Sequence, residues 1–185
     1  MIQILSENSI KVSSAFEEML RLHPVLGGDE YADIADGIRK GLYSGVTDMY
    51  AAVIAQGVGR QIKQGLFRDY IRVREDLPVM HGSLDIAGTI RNRLNRKYLI
   101  SCESDNLSVN NPHNRLLKAV MLYLLRRDEV SRQTRTQIKK QVLAFDGIED
   151  VEPGAINRAS LSKSRCNATY MMLMDICGRV VSSGE

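Results

Sequence analysis

The chain has 185 residues, of which 44% are hydrophobic and 25% are charged, a composition typical of a globular protein and not of a disordered one. A chain of this length forms one ordinary domain or two small ones and can bury a core without metal or disulfide support. No apolar run reaches the ~20 residues of a membrane span, and the N-terminus lacks the basic and apolar segments of a secretory signal. These features predict a cytoplasmic protein without a membrane partner.

The cysteines predict reduced thiols. Cys102, Cys166 and Cys177 are widely spaced, and an odd number without a CxxC pair argues against a disulfide framework. No histidine lies at ligand spacing from a cysteine. The sequence therefore predicts no structural metal site and no cofactor.

The net charge of +3 is unevenly distributed along the chain. Residues 1–57 carry a net charge of −4, residues 58–140 carry +9, and residues 141–185 carry −2. A basic middle between acidic ends indicates a polyanion or an acidic protein surface as partner. The alternative is a solvated basic face without a partner.

The first third of the chain is predicted to be helical. Apolar residues at helical spacing predict three helices: 12–23, a weaker one within 29–45, and one that is capped by Thr47 or Asp48 and ends near Gln64. Gly57 and Gly59 lie inside the third helix, where each costs about 1 kcal/mol relative to alanine. We therefore expect close packing at both glycines. Gly65 is expected to end this helix.

From residue 66 the hydrophobic period changes to two. Residues 66–76 alternate so that Arg68, Tyr70, Arg72 and Arg74 share one face, which predicts a strand with an arginine-rich side. The dipeptide at 77–78 interrupts this strand, and residues 80–85 predict a short returning strand around Gly82. Asp85 then caps a predicted helix over 86–95, and residues 98–104 predict another strand. The outward face of that helix is expected to be basic through Arg91, Arg93 and Arg96.

Three helices are predicted after the last strand. Pro112 opens the first, whose apolar stripe is Leu116, Leu117, Val120, Met121, Leu124 and Leu125. A second helix spans about 131–145, and a long loop over 146–163 leads to a last helix over about 166–182. That helix is expected to bury Met171, Leu173, Met174, Cys177 and Val181. Strands scattered among helices predict an α+β fold, with short antiparallel strands and about five helices packed around them.

The common catalytic patterns are absent. The chain has no GxxxxGK[ST], GxGxxG, GxSxG or HExxH motif. A metal-dependent nuclease needs an acidic-x-Lys strand, and none of the eight lysines has an acidic residue two positions before it. We therefore predict no catalytic residue. The alternative is a nuclease site built from the unpatterned carboxylates of Asp69, Asp76, Asp85 and Glu103.

The segment 65–125 resembles the McrC family. Residues 65–94 (GLFRDYIRVREDLPVMHGSLDIAGTIRNRL) match the family's Gly-Leu-x-x-x-Tyr strand, acidic-Leu-Pro turn, Gly-x-Leu-Asp step and Thr-Ile-Arg helix. Downstream, the family's Asp-x-Leu-Ser run and Asn-Arg-Leu-Leu-Lys helix match from Asp105 to Lys118. Val109 and Asn110 stand where the family usually has Glu and Asp, and Pro112 replaces an apolar residue. The matched structural residues are Gly65, Tyr70, Pro78, Gly82, Asp85, Asp105, Asn114, Arg115 and Lys118.

The resemblance implies a specific partner. McrC joins a hexameric AAA+ GTPase ring, McrB, in 5-methylcytosine-dependent restriction; its N-terminal part inserts into the ring and stimulates GTP hydrolysis, and its C-terminal PD-(D/E)xK domain cuts DNA. Residues 1–185 are accordingly expected to be the non-catalytic McrB-docking region, with a helical half from about 106 and without the nuclease domain. The residues expected to face an acidic ring pore or DNA are Arg68, Arg72, Arg74, Arg91, Arg93, Arg96 and Lys97.

Two questions stay open in the sequence. The chain could instead be a stand-alone nucleic-acid-binding module, although three Phe and no Trp supply few stacking platforms for bases. At the opening of the helix, Asn114 is expected to bond to loop backbone, and Arg115 either pairs with Asp105 or faces the partner.

Overall fold

The structure is a computed structural model, and it describes residues 7–156, 161 and 167–182. It has an α+β fold, as predicted, with seven helices and three strands in the described residues. The helices are α1 (Glu7–Leu22), α2 (Ala32–Arg39), α3 (Val46–Gln64), α4 (Ile86–Leu94), α5 (Pro112–Leu125), α6 (Arg132–Val142) and α7 (Ala168–Ser182). The strands are β1 (Asp69–Leu77), β2 (Ser83–Leu84) and β3 (Ile100–Ser108).

The chain divides into two compact units. The helical unit comprises the described residues of 1–67 and 112–185, and the sheet unit is 68–111. The main hydrophobic core contains no residue of the sheet unit. The helices outside 68–111 form a core of their own, and the sheet unit carries only α4. Within the described residues, no helix combines the length and apolarity needed to cross a membrane.

The core of the helical unit follows the predicted stripes of α3 and α5. Leu116, Leu117, Val120, Met121 and Leu124 are all fully buried, because they recur on one side of α5 at helical spacing. Close packing at Gly57 is confirmed: a Cβ there would lie 2.9 Å from Leu173 Cδ2.

The beginning of α3 differs from the prediction. The N-cap residue is Gly45, which has no side chain to cap with, and not Thr47 or Asp48. Asp48 instead points back from inside the first turn, where its carboxylate accepts hydrogen bonds from the amides of Ser44 (3.2 Å) and Ser131 (2.9 Å). The buried carboxylate thereby joins the start of α3 to the start of α6.

The register predicted for α7 is wrong by about one position. The buried residues are Thr169, Tyr170, Met172, Leu173, Ile176, Cys177 and Val180, whereas Met171, Met174 and Val181 are only partly buried. Because this helix is apolar on nearly every side, its sequence period does not select one inward face. Cys102 and Cys177 are buried, and Cys166 lies outside the described residues, as does most of 157–163 in the predicted loop.

Asn114 connects α5 through hydrogen bonds to Phe67, which lies between α3 and β1. Its side-chain amide donates to the Phe67 carbonyl (2.8 Å), and its oxygen accepts from the Tyr170 hydroxyl (2.7 Å). That hydroxyl accepts in turn from the Phe67 amide (2.9 Å). The predicted bond from Asn114 to loop backbone is confirmed, and Asn114 and Tyr170 are both at least 99% buried.

Arg115 does not pair with Asp105. Its guanidinium lies 2.9 Å from Glu149, and Asp105 faces Arg72 at 3.8 Å on the neighbouring strand. Lys118, one turn further on, donates to the Ile148 carbonyl (2.5 Å) and pairs with Asp150 (2.7 Å). The basic residues of this motif therefore fasten the 148–150 segment to α5.

We expect Arg115→Ala to lower the free energy of unfolding by less than about 1 kcal/mol, because Glu149 is 57% exposed and exposed ion pairs contribute little. Lys118→Ala should cost about 1–2 kcal/mol, because the Lys118 side chain is only 13% exposed and its loss leaves a carbonyl without its donor. Urea denaturation of both variants measures the difference. A larger loss in Arg115→Ala than in Lys118→Ala would contradict this assignment.

The sheet unit is a three-stranded antiparallel sheet with the order β1-β3-β2. β1 pairs with β3 along its whole length, from Asp69 opposite Ser108 to Leu77 opposite Ile100. β2 does not return onto β1; it pairs with the other edge of β3 through Ser83 and Leu84. The predicted alternation of β1 is confirmed, since Tyr70, Arg72 and Arg74 are exposed while the residues between them are partly buried.

Candidate functional site

The seven cations expected to contact a partner all lie in the sheet unit, and all are exposed. Arg68 precedes β1, and Arg72 and Arg74 lie on it. Arg91 and Arg93 lie on α4, and Arg96 and Lys97 follow that helix. The fold thus places the expected set on one unit.

Three of these cations already interact within the sheet unit. Arg74 lies 2.5 Å from Glu103 and 3.3 Å from Asp85, so it connects β1, β3 and the start of α4. Arg72 faces Asp105, and the Arg93 guanidinium lies 5.4 Å from the centroid of the Tyr98 ring, within cation–π distance. Arg74 in particular connects elements within the sheet unit.

The charges around Arg74 stabilise each other. The hydrogen bond to Glu103 raises the pKa of Arg74. The pKa of Asp85 is lowered, first by the backbone amide of Gly88 and then by Arg74. Because the lowered pKa favours the folded state, the contribution of Asp85 to stability is present at neutral pH and is lost as the pH falls through that pKa.

Four cations have no ion pair with another described residue: Arg68, Arg91, Arg96 and Lys97. Three of them belong to the segment between Asp85 and Glu103, which contains no acidic residue. α4 and the turn after it are therefore the most electropositive part of the sheet unit.

Sequence reasoning missed an apolar stripe on the outward face of α4. Ile86, Ile90 and Leu94 recur every four residues and lie on successive turns. They are 65%, 55% and 80% exposed. Arg91 and Arg93, also exposed, flank this stripe. Its spacing is visible in the sequence, but an apolar stripe normally marks the buried face of a helix.

The apolar stripe of α4 faces outward because the residues on the inward side of this helix are small or polar. A Cβ on Gly88 would lie 2.3 Å from Asp85 Oδ2 and 2.5 Å from Ser101 Oγ, so only glycine allows this approach to β3. The Thr89 hydroxyl donates to the Asp85 carbonyl (2.8 Å) and accepts from the Ser101 amide (3.0 Å). Asn92 is 6% exposed on the same side. These contacts leave the apolar stripe facing outward.

The exposed apolar surface of the sheet unit extends beyond α4. Nine of the thirteen large apolar side chains that are exposed in the described chain belong to this unit, although it is the smaller of the two. Cys102 is its only fully buried hydrophobic residue among those described. A unit that exposes this much apolar surface and buries so little is typical of an interaction site.

The carboxylates considered for a nuclease site are dispersed. Asp69 and Asp76 lie near opposite ends of β1, and Asp85 and Glu103 both contact Arg74. No group of three or more His, Cys, Asp or Glu in the described residues is placed to hold a metal ion.

A family model described as McrBC 5-methylcytosine restriction system component matches residues 31–183. The chain belongs to this family. No curated protein matches it.

Two solved structures share the fold of this McrBC-family chain. The cryo-EM structure of the Thermococcus gammatolerans McrBC complex matches 89% of the chain with 21% identity and a TM-score of 0.64. A half-complex from a tetradecameric assembly of Thermococcus gammatolerans McrB AAA+ hexamers with bound McrC matches 72% with 21% identity and a TM-score of 0.58. The present chain covers 49% and 32% of those chains, respectively, and thus half of their length or less.

The motif residues of the McrBC-family chain shape the sheet unit and its connections. Gly65 ends α3 with a φ of +92°, and Gly82 precedes β2 with a φ of +73°. Asp85 begins α4. Tyr70 is 59% exposed opposite Leu107 on β3, and Pro78 is exposed just after β1.

Proposed function

We propose that this chain is a non-catalytic, McrC-like component of a modification-dependent DNA restriction system, which docks on a hexameric AAA+ GTPase and stimulates its GTP hydrolysis. The observation that carries the proposal is the outward apolar stripe of α4, Ile86, Ile90 and Leu94, between Arg91 and Arg93. Membership in the McrBC family and the fold shared with a chain solved in complex with AAA+ hexamers support the class of partner.

The stripe also indicates the chemistry of the opposing surface. Apolar side chains at the centre of an interface supply most of the binding energy, and charges at its rim set the rate and specificity of association. With Arg91, Arg93, Arg96 and Lys97 around the stripe and no carboxylate between Asp85 and Glu103, the matching surface is an apolar groove with an acidic rim. We propose that this groove lies on the GTPase ring.

We expect Ile90→Asp to weaken binding to an McrB-type GTPase by about tenfold or more, because a carboxylate would replace an apolar contact in the interface. Calorimetric titration of the GTPase measures the affinity, and phosphate release measures the stimulation. The side chain is 55% exposed, so the fold should be preserved.

Ile10→Asp is the matched control. Ile10 is 57% exposed on α1 of the helical unit, and its variant should bind and stimulate like the parent. Arg91→Ala should reduce the association rate and its dependence on salt. If Ile90→Asp binds and stimulates as well as Ile10→Asp, α4 is not the docking face. If the parent neither binds the GTPase nor changes its rate, the proposed function is wrong.

A further inference from the structure

The helical unit contains a polar cleft that the docking proposal does not use. It lies between α3, α6 and the turn Asp29–Tyr31, and its volume is about 490 Å³, within the ~300–1,000 Å³ typical of small-molecule sites. Four glutamines and a tyrosine contribute to its lining, together with Arg60, Lys63 and Glu30. Such a lining suits a ligand with several hydrogen-bonding groups.

Two side chains that line the cleft carry buried polar atoms without a partner. Tyr31 is 1% exposed and Gln141 is 8% exposed, and neither the Tyr31 hydroxyl nor Gln141 Oε1 has a hydrogen-bond partner in the described chain. Burial raises the pKa of Tyr31 to about 12, so its hydroxyl stays a donor at neutral pH. Gln141 Nε2 donates to the Ala55 carbonyl (2.7 Å), which fixes the amide so that Oε1 is an unused acceptor.

Two glycines of α3 make room for these groups. A Cβ on Gly57 would lie 3.1 Å from the Tyr31 hydroxyl, and a Cβ on Gly59 would lie 2.9 Å from Gln141 Nε2. Glycines inside a helix lower its stability. Here they allow the Tyr31 hydroxyl and the Gln141 amide to approach the backbone of α3.

The mouth of the cleft and its surroundings are positively charged. Arg60 forms an ion pair with Glu30, while Lys63 is exposed and has no ion pair with another described residue. Gln137, which also lines the cleft, belongs to α6. α6 has no acidic residue, and Arg132, Lys139 and Lys140 are exposed on it.

We propose that this cleft binds a nucleotide unit, with the base against Tyr31 and Gln141 and the phosphate toward Lys63. Glutamine amides recognise the polar edges of bases; an N–H of the base would donate to Gln141 Oε1, and the Tyr31 hydroxyl would donate to a ring nitrogen or carbonyl. A lysine ammonium is a common phosphate ligand. A free nucleotide and a nucleotide within a single strand share this chemistry, and the cations of α6 would follow the backbone of a strand.

Calorimetric titration of the whole chain with the four nucleoside 5′-monophosphates, ribose 5-phosphate and a single-stranded oligonucleotide tests the proposal. We expect at least one nucleotide to bind about tenfold or more tightly than ribose 5-phosphate, since the sugar phosphate lacks a base. Tighter binding of the oligonucleotide than of the mononucleotide would assign the site to a strand, and equal affinity would assign it to a free nucleotide.

Tyr31→Phe should weaken nucleotide binding about fivefold without lowering the melting temperature of the free protein, because the hydroxyl has no partner to lose. Lys63→Ala should weaken the binding of nucleotides and of ribose 5-phosphate alike. Lys11 is an exposed lysine on α1, and Lys11→Ala should leave the binding of both unchanged. The proposal is overturned if no nucleotide or oligonucleotide binds, if ribose 5-phosphate binds as tightly as the nucleotides, or if Tyr31→Phe binds like the parent. None of these results depends on docking to a GTPase.

Discussion

Asn114→Ala should lower the free energy of unfolding by about 3–4 kcal/mol. The variant leaves the Phe67 carbonyl without the donor at 2.8 Å and the Tyr170 hydroxyl without the acceptor at 2.7 Å. Each buried polar group left without its partner costs about 1–3 kcal/mol, and the missing amide adds a cavity in a fully buried position. Chemical denaturation followed by circular dichroism measures the loss.

Two further variants separate the network from general effects of truncation. Tyr170→Phe should cost about 1–2 kcal/mol, and the double variant should cost less than the two single losses added together, because both act on the same hydrogen bonds. Asn8 donates only a long, exposed hydrogen bond to the Ser44 carbonyl (3.4 Å), so Asn8→Ala should leave stability within about 0.5 kcal/mol of the parent. An Asn114→Ala loss as small as that of Asn8→Ala would show that the network does not hold α5 in place.

Gly82→Ala should destabilise the sheet unit by about 2–3 kcal/mol. Gly82 has a φ of +73°, and an added Cβ would lie 2.4 Å from the carbonyl oxygen of Glu103 and 3.1 Å from Ser104 Cβ. The substitution therefore combines a disfavoured backbone conformation with a clash against the backbone of β3. Hydrogen exchange of the β3 amides measures the loss, and an increase of about 30- to 150-fold in their rates is expected.

Two other glycines serve as controls that separate the cost of the backbone conformation from the cost of the clash. Gly65 has a φ of +92° but nothing within 4 Å of its added Cβ, so Gly65→Ala should show the conformational cost alone, about 1–3 kcal/mol. Gly154 has neither a positive φ nor a close neighbour, and Gly154→Ala should be nearly neutral. If Gly82→Ala costs no more than Gly65→Ala, the clash with Glu103 is relieved by movement of the β2 edge.

The helices and β1 were predictable because the hydrophobic pattern that specifies each of them lies within its own segment of the sequence. In α5 the apolar residues from Leu116 to Leu124 repeat at helical spacing against polar neighbours, which selects one inward face. In β1 the alternation of Arg72 and Arg74 with partly buried residues identifies both the strand and its exposed side. α7 shows where this reasoning fails, since a helix that is apolar on nearly all sides carries no such contrast.

The candidate docking site was only half predictable. The cations of α4 were identified from the sequence, because charged side chains such as Arg91 are costly to bury and stay in solvent. The outward direction of Ile86 and Leu94 was not, because it depends on Gly88 and Thr89 packing against Ser101 on β3, a residue that belongs to a later strand.

Periodicity and turn residues were thus sufficient for the α+β class, the main helices, the strand with the arginine-rich face and the family motifs. Strand order, the partner of Arg115 and the groups that line the cleft depend on residues far apart in the chain. Each is decided by which surfaces meet after folding. Glu149 reaches Arg115 only when the segment after α6 returns to α5, and Gln141 reaches Gly59 only when α6 packs on α3. A local pattern specifies which groups are available, whereas these partners are selected by packing and by the need to satisfy buried polar groups.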